Sequence, residues 1–189
     1  EIYKIVRNQF YNQERYRIVQ SRNEQANLVI TDDSGTESYL YSRYNPEREA
    51  EKWLETVYDD ISDADNILLY GLGFGYHLEA MLHRYPEKKL FVYEPNLDIL
   101  YAAIECCDLR PLLGNKQIKV FAVGEDFIVQ SQMLELTLGM INGSLIPLIL
   151  PAYEKIQPSS VEEFRNNLNN SVFTVRANLK TMSTFQVDW

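Results

Sequence analysis

The chain has 189 residues, of which 46% are apolar and 24% charged, and it carries a formal net charge of −9. A chain of this length is expected to form one domain with appendages, since single domains commonly contain about 100–150 residues. The negative charge repels a phosphate backbone and an anionic membrane surface, so we expect neither nucleic acid nor a membrane as a partner.

The first 45 residues predict a β-rich subdomain. A helix or strand opens it, and three short β-rich runs follow at residues 17–19, 26–30 and 39–41. The sequence Asp32-Asp33-Ser34-Gly35 predicts a turn, because glycine permits positive φ and aspartate bonds its own backbone. This segment holds no cluster of catalytic residue types, so we interpret it as structural.

Strands and helices alternate between residues 46 and 157. A helix starts at Asn45-Pro46, since asparagine is a good N-cap and proline suits the first helical position. After a polar break at residues 59–65, the predicted strands cover 66–70, 89–93, 118–123 and 144–150, and the predicted helices cover 76–85, 97–107 and 127–138. Pro147 indicates a bulge or a sheet edge in the last strand. The alternation predicts a Rossmann-like α/β domain with a mostly parallel sheet and right-handed crossovers.

Residues 158–189 predict one long helix. Ser159 and Ser160 are each followed three residues later by glutamate, which is the pattern of a capping box. Apolar residues then recur three or four positions apart, and this seam can pack on the same domain, on a following domain or on a second copy of the chain. Because the chain starts with Glu1 instead of Met and ends without a polar tail, we interpret it as a piece of a longer protein.

The strongest candidate site is a glycine loop after the first strand of the predicted parallel sheet. Gly71, Gly73 and Gly75 lie between this strand and the next helix, and Glu94 follows the second strand. Glycines let a ligand approach the backbone, and the helix start offers free N–H groups and a positive dipole end. An acid at the end of the second strand can bond both hydroxyls of a ribose. The pattern predicts a nucleotide-like ligand, and the alternative is a turn that needs glycine and binds nothing.

Residues near the glycine loop bear on which class of nucleotide-like ligand is expected. The dinucleotide fingerprint has its third glycine one place later, where this chain has the bulky Tyr76, so NAD is disfavoured. The spacing resembles the first motif of S-adenosylmethionine-dependent methyltransferases, which usually carry an acid at the position occupied here by Leu69. Asp126 can meet an adenine amine or cap the next helix. His77 can touch a phosphate or lie half-buried on its helix.

The remaining reactive residue types indicate neither a metal site nor a nucleophilic centre. Cys106 and Cys107 are adjacent and have no familiar ligand spacing to the two histidines, so we predict no metal. A reduced pair of cysteines, without a signal peptide or an apolar run of about 20 residues, predicts a cytoplasmic protein. His83 is expected on a solvated helix face, and no spacing indicates a nucleophile–base pair.

Three stretches of the chain resemble one known family. Residues 41–52 (YSRYNPEREAEK), 70–78 (YGLGFGYHL) and 91–96 (FVYEPN) are similar to the N-terminal region of the bacterial motility-associated-factor glycosyltransferases. The resemblance covers about residues 40–126, with a weaker match along the terminal helix. The positions that match the family's pattern are Gly71, Gly73, Gly75, His77, Glu94 and Asn96.

The resemblance implies a cytoplasmic protein that attaches a nonulosonic, sialic-acid-like sugar to Ser or Thr of flagellin, using a CMP-activated donor. It also implies a further Rossmann-like domain downstream, which holds the donor site and performs the chemistry. This chain would then be an accessory or nucleotide-binding part that is inactive alone. The partners it implies are flagellin and the downstream domain, and the terminal helix adds a second copy of the chain as a candidate.

The sequence leaves three functional hypotheses. The first is an accessory or nucleotide-binding domain of a flagellin glycosyltransferase, with a CMP-sugar as the candidate ligand. The second is an S-adenosylmethionine-dependent methyltransferase. The third is a structural or dimerisation module without catalysis.

Overall fold

The structure is a computed structural model that describes residue 12 and residues 14–185, with side chains described up to residue 173. It opens with an antiparallel meander, β1 (Tyr16–Gln20), β2 (Ala26–Thr31) and β3 (Glu37–Tyr39), in that spatial order. The element predicted ahead of these strands lies outside the described residues. The third strand ends earlier than predicted, because Leu40 and Tyr41 leave it and enter the core.

The turn predicted between β2 and β3 is confirmed. Gly35 has a φ of +82°, in the left-handed region that glycine tolerates. The Asp32 carboxylate accepts hydrogen bonds from the amides of Ser34 and Thr36 at 2.8 and 2.9 Å. Glycine conformation and hydrogen bonds within the turn therefore account for its position.

Two helices join the meander to the main sheet. The predicted helix is confirmed as α1 (Pro46–Thr56), with the Asn45 side chain accepting from the Arg48 amide at 2.8 Å. The segment expected to be a polar break instead contains a short helix, α2 (Tyr58–Ser62). Its Ile61 is completely buried, and this single apolar anchor explains why an otherwise polar segment packs as a helix.

The main sheet is parallel and has four strands. They are β4 (Asn66–Tyr70), β5 (Lys89–Glu94), β6 (Ile118–Val123) and β7 (Leu145–Ile149), in the order β6-β5-β4-β7. All five residues of β4 are buried, as expected for a central parallel strand. Pro147 is exposed in the edge strand β7, where its missing N–H disrupts no ladder inside the sheet. The predicted Rossmann-like α/β fold is confirmed.

The helices between and after the strands of the main sheet follow the predicted order. They are α3 (Tyr76–Arg84), α4 (Leu97–Cys106), α5 (Arg110–Leu113), α6 (Phe127–Met140), α7 (Pro151–Ile156) and α8 (Pro158–Phe185). The short helices α5 and α7 were not predicted, because each is too short to show a helical apolar repeat. No helix among the described residues is both long and apolar enough to cross a membrane.

The long helix α8 packs on the same chain over its first turns. It begins at Pro158, so Ser159 and Ser160 lie inside its first turn and not at the predicted cap. Val161, Phe164 and Leu168 are buried along one face. The Phe164 ring lies 4.6 Å from the Tyr70 ring, centroid to centroid, which seats the helix on β4.

One hydrophobic core connects the meander to the parallel sheet. Tyr16, Leu28 and Ile30 of the meander belong to the same buried cluster as the side chains of β4 and β5. The meander therefore covers the α/β part directly, and this packing brings Tyr41 to the carboxyl edge of the sheet.

Candidate functional site

The glycine loop lies where a Rossmann-like sheet offers a ligand crevice. Residues 71–75 connect β4 to α3 at the carboxyl edge, and the strand order changes direction between β4 and β7. Gly71, Gly73 and Gly75 have φ values of +92°, +55° and +94°. The sharp left-handed turn expected from the glycines is therefore present, next to the switch point of the sheet.

Side chains of the protein itself fill the space beside the loop. A Cβ atom built on Gly71 would lie 2.5 Å from the Tyr153 ring, and one on Gly73 would overlap the Tyr41 hydroxyl. A Cβ on Gly75 would lie 2.6 Å from the Leu112 side chain. The close approach that glycine permits is thus made by two tyrosines and a leucine, since α7 follows β7 into the crevice and carries Tyr153 with it.

Glu94 occupies the predicted place at the end of β5, but its carboxylate points into the protein and is fully buried. One carboxylate oxygen, Oε2, accepts from the amides of Leu72 and Gly73 at 2.8 and 3.0 Å. The Tyr153 hydroxyl donates to the same oxygen at 2.5 Å, and the Asn96 amide donates to Oε1 at 2.8 Å. Both oxygens that were expected to bond a ribose therefore have partners inside the protein.

The pKa of Glu94 reflects two opposing influences. Burial raises it to about 7, while the hydrogen bonds from Tyr153 and the three amides lower it. Burial is the larger influence because the carboxylate has no exposed surface through which water could solvate its charge.

The other loop amides are also used within the fold. The Phe74 amide donates to the Tyr41 hydroxyl at 2.7 Å, and the Gly75 amide donates to the Leu72 carbonyl at 3.1 Å. The Gly71 amide donates to the Tyr93 carbonyl at 2.8 Å. A phosphate in this loop would have to displace these partners, so the predicted nucleotide contacts would require the two tyrosines to move.

His77 lies in the first turn of α3, two residues after Gly75, in a closed aromatic environment. It is 3% exposed, and it stacks on Tyr41 and meets Trp53 edge to face, with ring centroids 5.7 and 5.0 Å away. Neither ring nitrogen has a hydrogen-bond partner among the described residues. Burial lowers its pKa to about 4, so the imidazole is neutral near pH 7. It is more deeply buried than the half-buried helix position that the sequence suggested.

Asn96 and Asp126 both cap helices. The Asn96 side chain accepts from the amides of Asp98 and Ile99 at the start of α4, and its Nδ2 donates to the Tyr16 hydroxyl at 2.9 Å. The exposed Asp126 carboxylate accepts from the Ile128 amide at 2.7 Å at the start of α6. The capping interpretation of Asp126 is therefore confirmed.

The remaining candidate groups add no second centre at the loop. Leu69, which stands where methyltransferases usually have an acid, is completely buried in β4. Cys106 and Cys107 are free thiols with their sulfurs 3.8 Å apart, and His83 is exposed as predicted. Among the described residues, no cluster of three or more His, Cys, Asp or Glu could hold a metal ion.

Gly71→Ala tests whether the protein's own side chains enforce the glycine loop. We expect it to lower the free energy of unfolding by about 2 kcal/mol more than Gly35→Ala, because both residues have positive φ but only Gly71 faces a buried ring. Urea unfolding followed by circular dichroism measures both variants. Equal losses would show that Tyr153 does not pack against Gly71 in solution.

Comparison with known proteins places the chain in one family. A family model described as the glycosyltransferase Maf N-terminal domain matches residues 13–119, which is more than half of the chain. This range contains the meander, the glycine loop and Glu94. No curated protein and no solved structure gives a significant match. The chain therefore belongs to the family of the glycosyltransferase Maf N-terminal domain.

Proposed function

We propose that this chain is the accessory N-terminal domain of a cytoplasmic bacterial glycosyltransferase. The enzyme transfers a nonulosonic sugar from a CMP-activated donor to Ser or Thr of flagellin. Membership of the Maf N-terminal family supports the transferase assignment, and the three motif stretches of the sequence support the sugar and the acceptor. A downstream domain of the same protein holds the donor and performs the chemistry.

The observation that carries the accessory role is the internal use of Glu94. A donor site for a cytidine nucleotide needs a carboxylate or amides that are free to bond ribose and phosphate. Here the Glu94 carboxylate is bonded to three amides and to the Tyr153 hydroxyl, in a crevice with no exposed part of its side chain. The family's glycine loop therefore fits a structural role, which ties the meander and α7 to the sheet.

The helix α8 is the proposed connection to the partners. Its first turns pack on the sheet, whereas Phe173 further along is 80% exposed. A large apolar side chain in this position favours burial against another surface. We propose the downstream domain as that surface, with a second copy of the chain as the alternative.

Flagellin mass tests the proposed function in cells that lack the parent gene. The intact parent protein is expected to restore the mass increment of the nonulosonic sugar, and residues 1–189 expressed alone are expected to leave flagellin unmodified. Mass spectrometry of purified flagellin measures both. Modification by residues 1–189 alone would contradict the accessory role, and an unmodified flagellin with the intact protein would contradict the transferase assignment.

Thermal unfolding of the same chain with CMP, S-adenosylmethionine or NAD is the control for ligand binding. A ligand at 100 times its Kd would stabilise the fold by about 2.7 kcal/mol. We expect no shift with any of the three. A shift with S-adenosylmethionine alone would favour the methyltransferase hypothesis, and a shift with CMP would mean that the tyrosines leave the loop to admit a nucleotide.

A further inference from the structure

An open groove lies between α1 and α3 and borders the end of the glycine loop, since Tyr76 lines it and directly follows Gly75. Its cavity has a volume of about 690 Å³. Three apolar side chains contribute to its lining: Leu54 is buried, and Tyr76 and Ala80 are half-buried. The accessible apolar surface of the groove therefore comes from Tyr76 and Ala80, above the buried Leu54.

The walls of the groove are acidic. Glu47, Glu51 and Glu55 follow one another at four-residue spacing along α1, and Glu79 lies across from them on α3. All four are exposed, and none has an ion-pair partner among the described residues. Glu49 on the same helix differs, since its carboxylate accepts from the Ser42 amide at 2.6 Å. The four groove glutamates have no comparable structural task.

The groove carries an excess of negative charge. Like charges four residues apart on a helix repel each other, and α1 carries two such pairs. Arg48 and Lys52 lie three residues before Glu51 and Glu55 on the same helix and offset part of this repulsion, although neither forms an ion pair with them among the described residues. Arg84 also lines the groove, but its guanidinium lies over the rings of Tyr58 and Tyr85, at 5.6 and 5.9 Å from their centroids. A cationic partner would relieve this repulsion, and a nucleic acid or an anionic membrane would increase it.

We propose that this groove docks an amphipathic helix of a protein partner that carries Lys or Arg on both sides of an apolar ridge. The ridge packs against Tyr76 and Ala80, and the cations meet the glutamates on the two walls. Helices commonly dock in this way, with an apolar face in a groove and charges that set the register. A single metal ion does not fit, because the described residues form no cluster of three or more metal ligands.

A labelled peptide tests the proposal on the intact chain. The probe is a fluorescein-labelled amphipathic helix of about 14 residues, with leucines in one stripe and lysines flanking it. Its comparison peptide has glutamine in place of each lysine. Removing three groove charges, in Glu51→Gln/Glu55→Gln/Glu79→Gln, is expected to weaken binding of the lysine peptide about tenfold by fluorescence anisotropy. A control triple, Glu14→Gln/Glu135→Gln/Glu162→Gln, removes the same charge from exposed positions elsewhere and is expected to change the Kd less than about twofold.

A second variant separates the groove from the charge of the whole chain. Ala80→Trp fills the apolar lining without changing charge, so it is expected to weaken binding while thermal unfolding stays cooperative. Equal weakening by the two triple variants would overturn the proposal and leave only a general attraction of cations to an acidic protein. Binding of the glutamine peptide as tight as that of the lysine peptide would also overturn it, as would no saturable binding of the lysine peptide.

Discussion

Glu94→Ala is expected to lower the free energy of unfolding by about 3–5 kcal/mol, the largest single-residue effect that we predict. The substitution leaves the amides of Leu72, Gly73 and Asn96 without their carboxylate partner in a buried site. It also removes the acceptor of the Tyr153 hydroxyl. Each buried donor without a partner costs about 1–3 kcal/mol, so the sum exceeds the loss of a surface contact several-fold.

Chemical unfolding in urea measures this effect, and two variants serve as controls. Asp126→Ala removes an exposed carboxylate that caps a helix, and it is expected to lower the free energy of unfolding by only about 1 kcal/mol. Glu94→Gln keeps one acceptor oxygen in the same place and is expected to fall between the wild type and Glu94→Ala. A loss below about 1 kcal/mol for Glu94→Ala would contradict the structural role and leave the carboxylate available for a ligand.

The course of the chain through the sheet could be predicted because its signals are local. The strand at residues 66–70 was predicted with the observed bounds, since an uninterrupted apolar run is typical of a buried parallel strand. The helix start at Asn45-Pro46 was predicted from cap chemistry within a few residues. The short helices α2, α5 and α7 could not be predicted from the sequence. Each contains too few residues to show a helical repeat of apolar positions, and each depends on packing against residues far along the chain.

The sequence predicts that the glycine loop and Glu94 lie together, but it does not predict which side chains fill the space between them. The glycines and Glu94 do meet at the carboxyl edge of the sheet, as their spacing predicts. Tyr153 reaches Glu94 from 59 positions away along the chain, and Tyr41 reaches the Phe74 amide from 33 positions away. No local pattern marks either tyrosine. A glycine loop that admits a ligand and one that admits a neighbouring ring have the same sequence, since both only require that no Cβ intervene.

Two buried groups in this region titrate in opposite directions. Burial lowers the pKa of His77 to about 4, so the unfolded chain binds its proton more readily than the folded chain. The stability that neutral His77 provides is complete above its ordinary pKa of about 6.5 and is lost as the pH falls towards 4. Burial raises the pKa of Glu94 to about 7, so the folded chain binds that proton more readily. Its contribution is complete below about pH 4.5 and is lost as the pH rises through 7.

These opposite slopes overlap between about pH 4.5 and 6.5, where they offset each other in the wild type. His77→Phe keeps a ring between Tyr41 and Trp53 and removes the titrating nitrogens. Relative to the wild type, we expect this variant to gain about 3 kcal/mol of stability as the pH falls from 6.5 to 4. Glu94→Gln is expected to gain about the same amount relative to the wild type as the pH rises from 4.5 to 7.

Urea unfolding at pH values from about 4 to 7.5 separates the contributions of His77 and Glu94. In each variant, the pH dependence of the free energy of unfolding that remains in this range comes from the other group. His83→Gln is the matched control, since it removes the second histidine of the chain from an exposed position and leaves the buried rings around His77 unchanged. If the free energies of unfolding of His77→Phe and the wild type differ by the same amount at every pH, His77 has a hydrogen-bond partner or a water molecule in solution. Because His77 stacks on the tyrosine whose hydroxyl accepts from the Phe74 amide, that result would also indicate that Tyr41 opens away from the glycine loop.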